Sequence, residues 1–206
     1  MELHVQDMIN WFDKINEKVQ ANKEYLTSLD QAIGDGDHGI NMARGFQETV
    51  NKLSAQDYAN AADVLKDAAM TLMSKVGGAS GPLFGTIFLK MSMAVKGNDM
   101  IDHETFSRGL EEAVNGVKQR GKASEGEKTL VDVWSRMAVH FQQETDFDAE
   151  KVTEAAKNAM EETKDMMATK GRAAYFKERS IGHIDPGSAS SYYIFDALAN
   201  TIEGRS

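Results

Sequence analysis

Apolar residues recur three and four places apart along almost the whole chain, and only two prolines, Pro82 and Pro186, interrupt the pattern. β-Branched residues seldom alternate with polar ones, so the period-two signature of a strand is scarce. The spacing predicts an all-α fold. Val5, Ile9, Phe12, Ile15 and Val19, with Leu26 beyond, mark one long amphipathic helix ending before Leu29. Further stripes start at Ile40, Ala61, Leu83, Phe106, Leu130 and Phe147, and Pro186 opens a last helix through Ile202. That makes about eight helices. With 206 residues, 41% of them hydrophobic, and no linker-like tract, residues 1–206 are expected to form a single domain.

Four connections stand apart from the rest. Those at 28–39, 77–81, 119–129 and 170–187 all combine Gly with Asp, Ser, Lys or Arg, and they follow the first, third, fifth and seventh predicted helices. In an up-and-down bundle alternate connections gather at one end. One pole is therefore expected to hold the chemistry.

The first of these loops carries Asp30, Asp35 and Asp37 among Gly34, Gly36 and Gly39, ahead of a helix. Carboxylates forced together repel by roughly 4 kcal/mol per close pair at an effective dielectric near 20, so a cation is needed among them. Hard oxygen ligands suit Mg²⁺ or Ca²⁺, and Mg²⁺ commonly completes its shell with substrate phosphate. His38 and Asn41 lie where they could touch the same anion, and the following helix N-terminus attracts phosphate. A solvated turn would account for Asp and Gly but not for three acids in this setting. Gly77-Gly-Ala-Ser-Gly-Pro82 is a second glycine-rich helix entrance, with Ser80 as its expected cap. The twelve methionines, Met70, Met73, Met91, Met93, Met166 and Met167 among them, read as core filler.

Several near-matches fail. Gly34-Asp-Gly36-Asp-His-Gly39 satisfies the dinucleotide fingerprint, yet no strand precedes it and its acids would repel a bare pyrophosphate. Gly116 to Lys122 lacks the Ser or Thr of a P-loop, Ala123 standing there, and a calcium loop begun at Asp35 would have Phe46 at its twelfth position. With no cysteine, neither disulfides nor thiolate ligands exist. The net charge of −9 opposes binding to nucleic acid or an anionic membrane, and no apolar run is long enough to span one. A cytoplasmic protein is expected. An acidic chain that holds polyphosphate through an acidic loop needs divalent ions between them.

Taken together, Gly34-Asp-Gly-Asp-His-Gly39, Gly77-Gly-Ala-Ser-Gly-Pro-Leu-Phe-Gly85, Gly121-Lys-Ala, Gly126-Glu-Lys-Thr129 with Asp132-Val-Trp134, and Gly171-Arg-Ala through Glu178-Arg-Ser-Ile-Gly-His-Ile-Asp-Pro-Gly187 resemble the DhaL family. These motifs span residues 29–191 in family order. The resemblance implies an eight-helix antiparallel barrel with ADP or ATP and two Mg²⁺ ions at one end. It implies Asp30, Asp35 and Asp37 as metal ligands and His38, Gly39, Ile40, Asn41, Ala79 and Ser80 around the phosphates. Gly121, Leu130, Arg172, Asp185, Pro186 and Gly187 would complete the nucleotide pocket.

The implied activity is that of the nucleotide-binding subunit of dihydroxyacetone kinase, with no catalytic nucleophile from this chain. Retained ADP would relay a phosphoryl group from a phosphohistidine on a DhaM-type partner to dihydroxyacetone on a DhaK-type partner. His38, where related fatty-acid kinase domains have Thr, points to the dihydroxyacetone branch. Two alternatives stay open: the nucleotide domain of an ATP-dependent ketose kinase, and a non-catalytic metal–ADP module. The oligomeric state of the free chain is also open, a homodimer being one option.

Overall fold

The computed structural model describes residues 1–204, and among these nine α-helices carry most of the chain. They are α1 (Val5–Ala21), α2 (Lys23–Ile33), α3 (His38–Leu53), α4 (Ala61–Lys75), α5 (Ser80–Val95), α6 (His103–Gly121), α7 (Leu130–Gln143), α8 (Ala149–Glu162) and α9 (Pro186–Glu203). Short 3-10 segments at Thr163–Asp165 and Arg172–Ser180 lie between α8 and α9. Two-residue strands β1 (Glu2–Leu3) and β2 (Ile101–Asp102) pair antiparallel.

Eight of the helices close a ring. From α3 to α9 each packs on the next, α9 returns to α1, and α1 packs on α3. Helix α2 lies against α3 and α9 and is the far part of the single long helix that the apolar stripe predicted. The break falls at Asn22, whose side chain and backbone N–H both bond the Lys18 carbonyl, ending α1 one residue before α2 starts. Helix α2 continues past Leu29 to Ile33, so Asp30 belongs to its last turn and not to a loop.

The ring is filled by aromatic side chains. Phe88 of α5 stands 5.8 Å from Trp11, 5.0 Å from Phe12 and 6.2 Å from Trp134, edge-on to both indoles. Each buried indole N–H finds an acceptor on α9: Trp11 donates to the Ile194 carbonyl at 2.8 Å and Trp134 to Ser191 Oγ at 3.0 Å. Ser191 in turn donates to the Gly187 carbonyl at 2.8 Å. Such bonds matter because an unpaired donor here would cost about 1–3 kcal/mol. Not all methionines serve the core. Met91 is buried, whereas Met70, Met93 and Met167 are exposed, because they fall on helix or loop surfaces turned away from the ring.

Helix α5 starts at Ser80 and ends at Val95, about 24 Å away at 1.5 Å per residue. The strand pair therefore closes one pole of the ring while the glycine-rich loops share the other. No helix among the described residues is long and apolar enough to cross a membrane.

Candidate functional site

All four unusual connections do reach one cavity. It measures about 420 Å³ and is lined by Asp30, Asp35, Asp37 and His38 from the first, by Gly77, Gly78, Ala79 and Ser80 from the second, and by Lys128, Thr129 and Leu130 from the third. Lys170 to Ala173 and Asp185 to Gly187 supply the remainder. A second recess, also about 420 Å³, adjoins it and shares Ala79, Leu83, Thr129, Leu130, Lys170 and Gly171. Gly121, Val117, Pro82 and Ala123 make that recess mostly apolar. A polar chamber beside an apolar slot suits a ligand with one charged end and one flat, apolar end.

The acidic chamber is built from α2 and the turn after it. Asp30 is buried on the last turn of α2, and its Oδ2 accepts the backbone N–H groups of Asp37 at 2.9 Å and His38 at 3.1 Å. The loop is thus folded back onto its own first acid. Oxygens from Asp30, Asp35 and Asp37 come within 4.8 Å of one another. Gly34 makes this possible, since a Cβ there would stand 2.0 Å from Asp30 Oδ1. Three convergent carboxylates, two of them exposed, form an oxygen-only donor set that fits a hard divalent cation with room for further ligands. Arg172 Nη2 lies 3.0 Å from Asp35 Oδ2 and ties the 172–180 segment to the acids. Both side chains are open to solvent, so that pair adds little stability.

His38 bridges three helices. Its Nδ1 is 3.2 Å from Ser80 Oγ on α5, and its Nε2 is 2.8 Å from Ser190 Oγ on α9. Burial drives its pKa down to about 4, against the pull of Asp30 and Asp37, so the imidazole is neutral at neutral pH. Ser80 is not the cap expected of it, because it is already the first residue of α5. The residue before α5 is Ala79, with no side-chain cap bond, and the Ser80 hydroxyl is spent on His38.

The remaining expected residues divide. Asp185 caps α9 through Ser188 N–H at 2.7 Å, with Pro186 at the first helical position. Gly39, Ile40 and Asn41 do not line the chamber. Helical rotation turns Ile40 out to solvent, 55% exposed, while Gly39 abuts the backbone of α2, and Asn41 lies under Gly77, bonded to Arg44. Lys128, within Gly126-Glu-Lys-Thr129, carries no signal in the sequence that marks it out for a role of its own. It is only 1% exposed, and burial lowers its pKa against the opposing pull of Asp185, Asp165 and Asp132.

Burial raises the Asp185 carboxyl to about 6, the cap bonds from Ser188 acting in the other direction. A carboxyl with a raised native pKa binds its proton more tightly folded than unfolded, so stability falls as pH rises from about 4 through 6. Asp185→Asn keeps the cap acceptor and removes the charge. It is expected to stabilise the metal-free protein by up to about 3 kcal/mol at pH 7.5 and by almost nothing at pH 4. Urea unfolding at the two pH values measures this; equal effects at both would exclude a charge origin.

These features define a helical-ring protein with a hard-cation chamber and an adjoining apolar slot at one pole. The DAK2 domain family matches residues 32–200. The chain is 50% identical over 94% of its length, and 94% of the relative's, to the ADP-binding subunit DhaL of PEP-dependent dihydroxyacetone kinase 1 from Listeria innocua serovar 6a. It is 47% identical to the PTS-dependent counterpart of Lactococcus lactis, covering 97% and 99% of the two chains. Against the Escherichia coli DhaL subunit the identity is 40%, over 97% and 98%. The chain belongs to the DhaL family. In structure it is similar to the dihydroxyacetone kinase from C. freundii in complex with AMP-PNP and Mg²⁺, with a TM-score of 0.74 at 22% identity over 94% of this chain. It spans 33% of that longer chain, and the likeness speaks for the fold alone.

Proposed function

We propose that this chain is the nucleotide-binding subunit of a phosphoenolpyruvate-dependent dihydroxyacetone kinase. ADP stays bound as a coenzyme, and the phosphoryl group travels from a phosphohistidine on a DhaM-type partner to dihydroxyacetone on a DhaK-type partner. The observation that carries the reading is the convergence of Asp30, Asp35 and Asp37, with oxygens within 4.8 Å, in a chamber that opens onto an apolar recess. Its similarity to relatives named as DhaL subunits, at 40–50% identity over nearly their whole length, supports the same reading.

In this reading the three aspartates hold two Mg²⁺ ions, which when bound would neutralise phosphate charge. The His38-held Ser80 and the entrance at Gly77 to Ala79 face the phosphate end, Arg172 adds a positive charge beside Asp35, and Asp185 to Gly187 with Leu130 and Gly121 border the nucleoside. Nothing in the chamber is built as a nucleophile, so the protein contributes by positioning and by charge. Tyr175, 84% exposed on the segment whose first residues line the chamber, offers a protein partner an aromatic contact beside it. A cytoplasmic setting accompanies this scheme.

Protein purified without added nucleotide is expected to release an equimolar amount of ADP on denaturation, retained through dilution and lost to EDTA. An empty site that turns over free ATP with dihydroxyacetone would instead identify an ordinary ketose kinase. Tight ADP with no transfer in the presence of both partners would leave a binding module.

A further inference from the structure

Lys128 is a fully buried ammonium outside the acidic cluster. Its backbone sits in the left-handed region at φ 60°, which turns the side chain inward from the loop ahead of α7. There Nζ donates to the carbonyls of Thr163, at 2.6 Å, Met166, at 3.2 Å, and His183. All three ammonium hydrogens are thereby used. Two of the acceptors, Thr163 and Met166, bracket the short 3-10 segment that follows α8, and the third, His183, lies in the stretch of chain just before Asp185.

Around this charge the hydrogen bonds form a closed circuit. Asp185 N–H donates to Thr163 Oγ1 at 3.1 Å, Asp185 Oδ2 accepts from Ser188 N–H, and Ser188 Oγ donates to the carbonyl of Thr129, the residue next to Lys128. Thr129, Asp185, Pro186 and Gly187 are also walls of the chamber. Burying a lone ammonium is costly, and one saturated by three carbonyls fixes the segments that supply them.

We propose that Lys128 is a positioning residue for the nucleotide: its ammonium clamps the wall at Asp185 to Gly187 against the start of α7, and affinity depends on that clamp. The proposal rests on the nucleotide-binding reading above. Its role is indirect, through the preorganised wall, since a wall that must be ordered on binding weakens affinity.

The absence of cysteine allows a test at one atom. Lys128→Cys, alkylated while unfolded and then refolded, becomes with 2-bromoethylamine a near-copy of lysine, and with 1-bromopropane a neutral chain of equal length. Mg²⁺-ADP titrations by calorimetry compare the two with the unmodified protein. The ammonium form is expected to bind within about threefold of it, and the propyl form at least tenfold more weakly. Amide exchange should quicken at 183–188 in the propyl form and stay unchanged in α4. Equal affinity of the two forms would overturn the clamp. Should the propyl form fail to refold, Thr163→Val loosens the same wall by removing the acceptor of the Asp185 N–H. A faster Asp185 amide with unaltered Mg²⁺-ADP affinity would then overturn it equally. Failure of the unmodified protein to bind Mg²⁺-ADP would instead defeat the nucleotide reading.

Discussion

Asp30→Ala is expected to weaken Mg²⁺-ADP binding by about three orders of magnitude. Removing a carboxylate at about 4 Å from a cation forfeits roughly 4 kcal/mol of attraction per unit charge at an effective dielectric of 20, and each 1.4 kcal/mol is tenfold in affinity. Asp30 should lose more than Asp35 or Asp37 because it also accepts the N–H groups of Asp37 and His38, which hold the loop in its folded-back shape. Asp30→Asn separates the two contributions. It keeps an acceptor for those N–H groups while deleting the charge, so it should restore the loop yet bind metal poorly. Calorimetric titration of both variants decides the matter; Asp30→Ala with affinity within threefold of the parent would remove this residue from the metal site.

Gly39→Ala is expected to destabilise the fold by about 3 kcal/mol, near the upper end for overpacking, and more if the helices cannot part. A Cβ at this position would meet the Lys23 carbonyl at 2.1 Å, Thr27 Oγ1 at 2.4 Å and Thr27 N at 2.7 Å. Two of those atoms are backbone and cannot swing aside, so α2 and α3 would have to separate. The aspartates straddle that junction, Asp30 on α2 and Asp37 just ahead of α3, so metal affinity should fall with stability. Thermal melts with and without Mg²⁺-ADP test this. At about 2–4 °C per kcal/mol for a chain of this size, a drop of about 6–12 °C is expected. An unchanged melting temperature would show that the close approach of α2 and α3 relaxes freely.

How much was legible in advance follows from what each residue's signal depends on. Periodicity reports which helix face is buried, and the alternation of connections reports which loops share a pole; both were readable, and the four loops do meet. Asp185 before Pro186 announced the start of α9 for the same local reason. The split at Asn22 was hidden because the apolar stripe runs on through Leu26, and only the bonds of Asn22 to Lys18 show where the axis turns. Ser80 looks like a cap because it heads a glycine-rich entrance, yet the helix begins one residue earlier than that reading needs: Ser80 is already its first residue, and its hydroxyl meets His38 instead. Gly39 and Ile40 share a motif with the aspartates without sharing their direction, which helical rotation sets and composition does not. Met70 and Met93 were misplaced for a related reason, since their apolar character says nothing about which side of α4 or α5 they occupy. Lys128 was the least accessible: its importance lies in three carbonyls, and every residue has one.

The path from Trp134 through Ser191 to the Gly187 carbonyl links an indole in the core to the rim of the chamber. Trp11, bonded instead to Ile194 two turns further along the same helix, has no such connection to the rim. The chain therefore carries an optical gauge and its own reference: ligand-driven shifts at the start of α9 should tune the emission of one chromophore and leave the other dark to the event, without any dye attached.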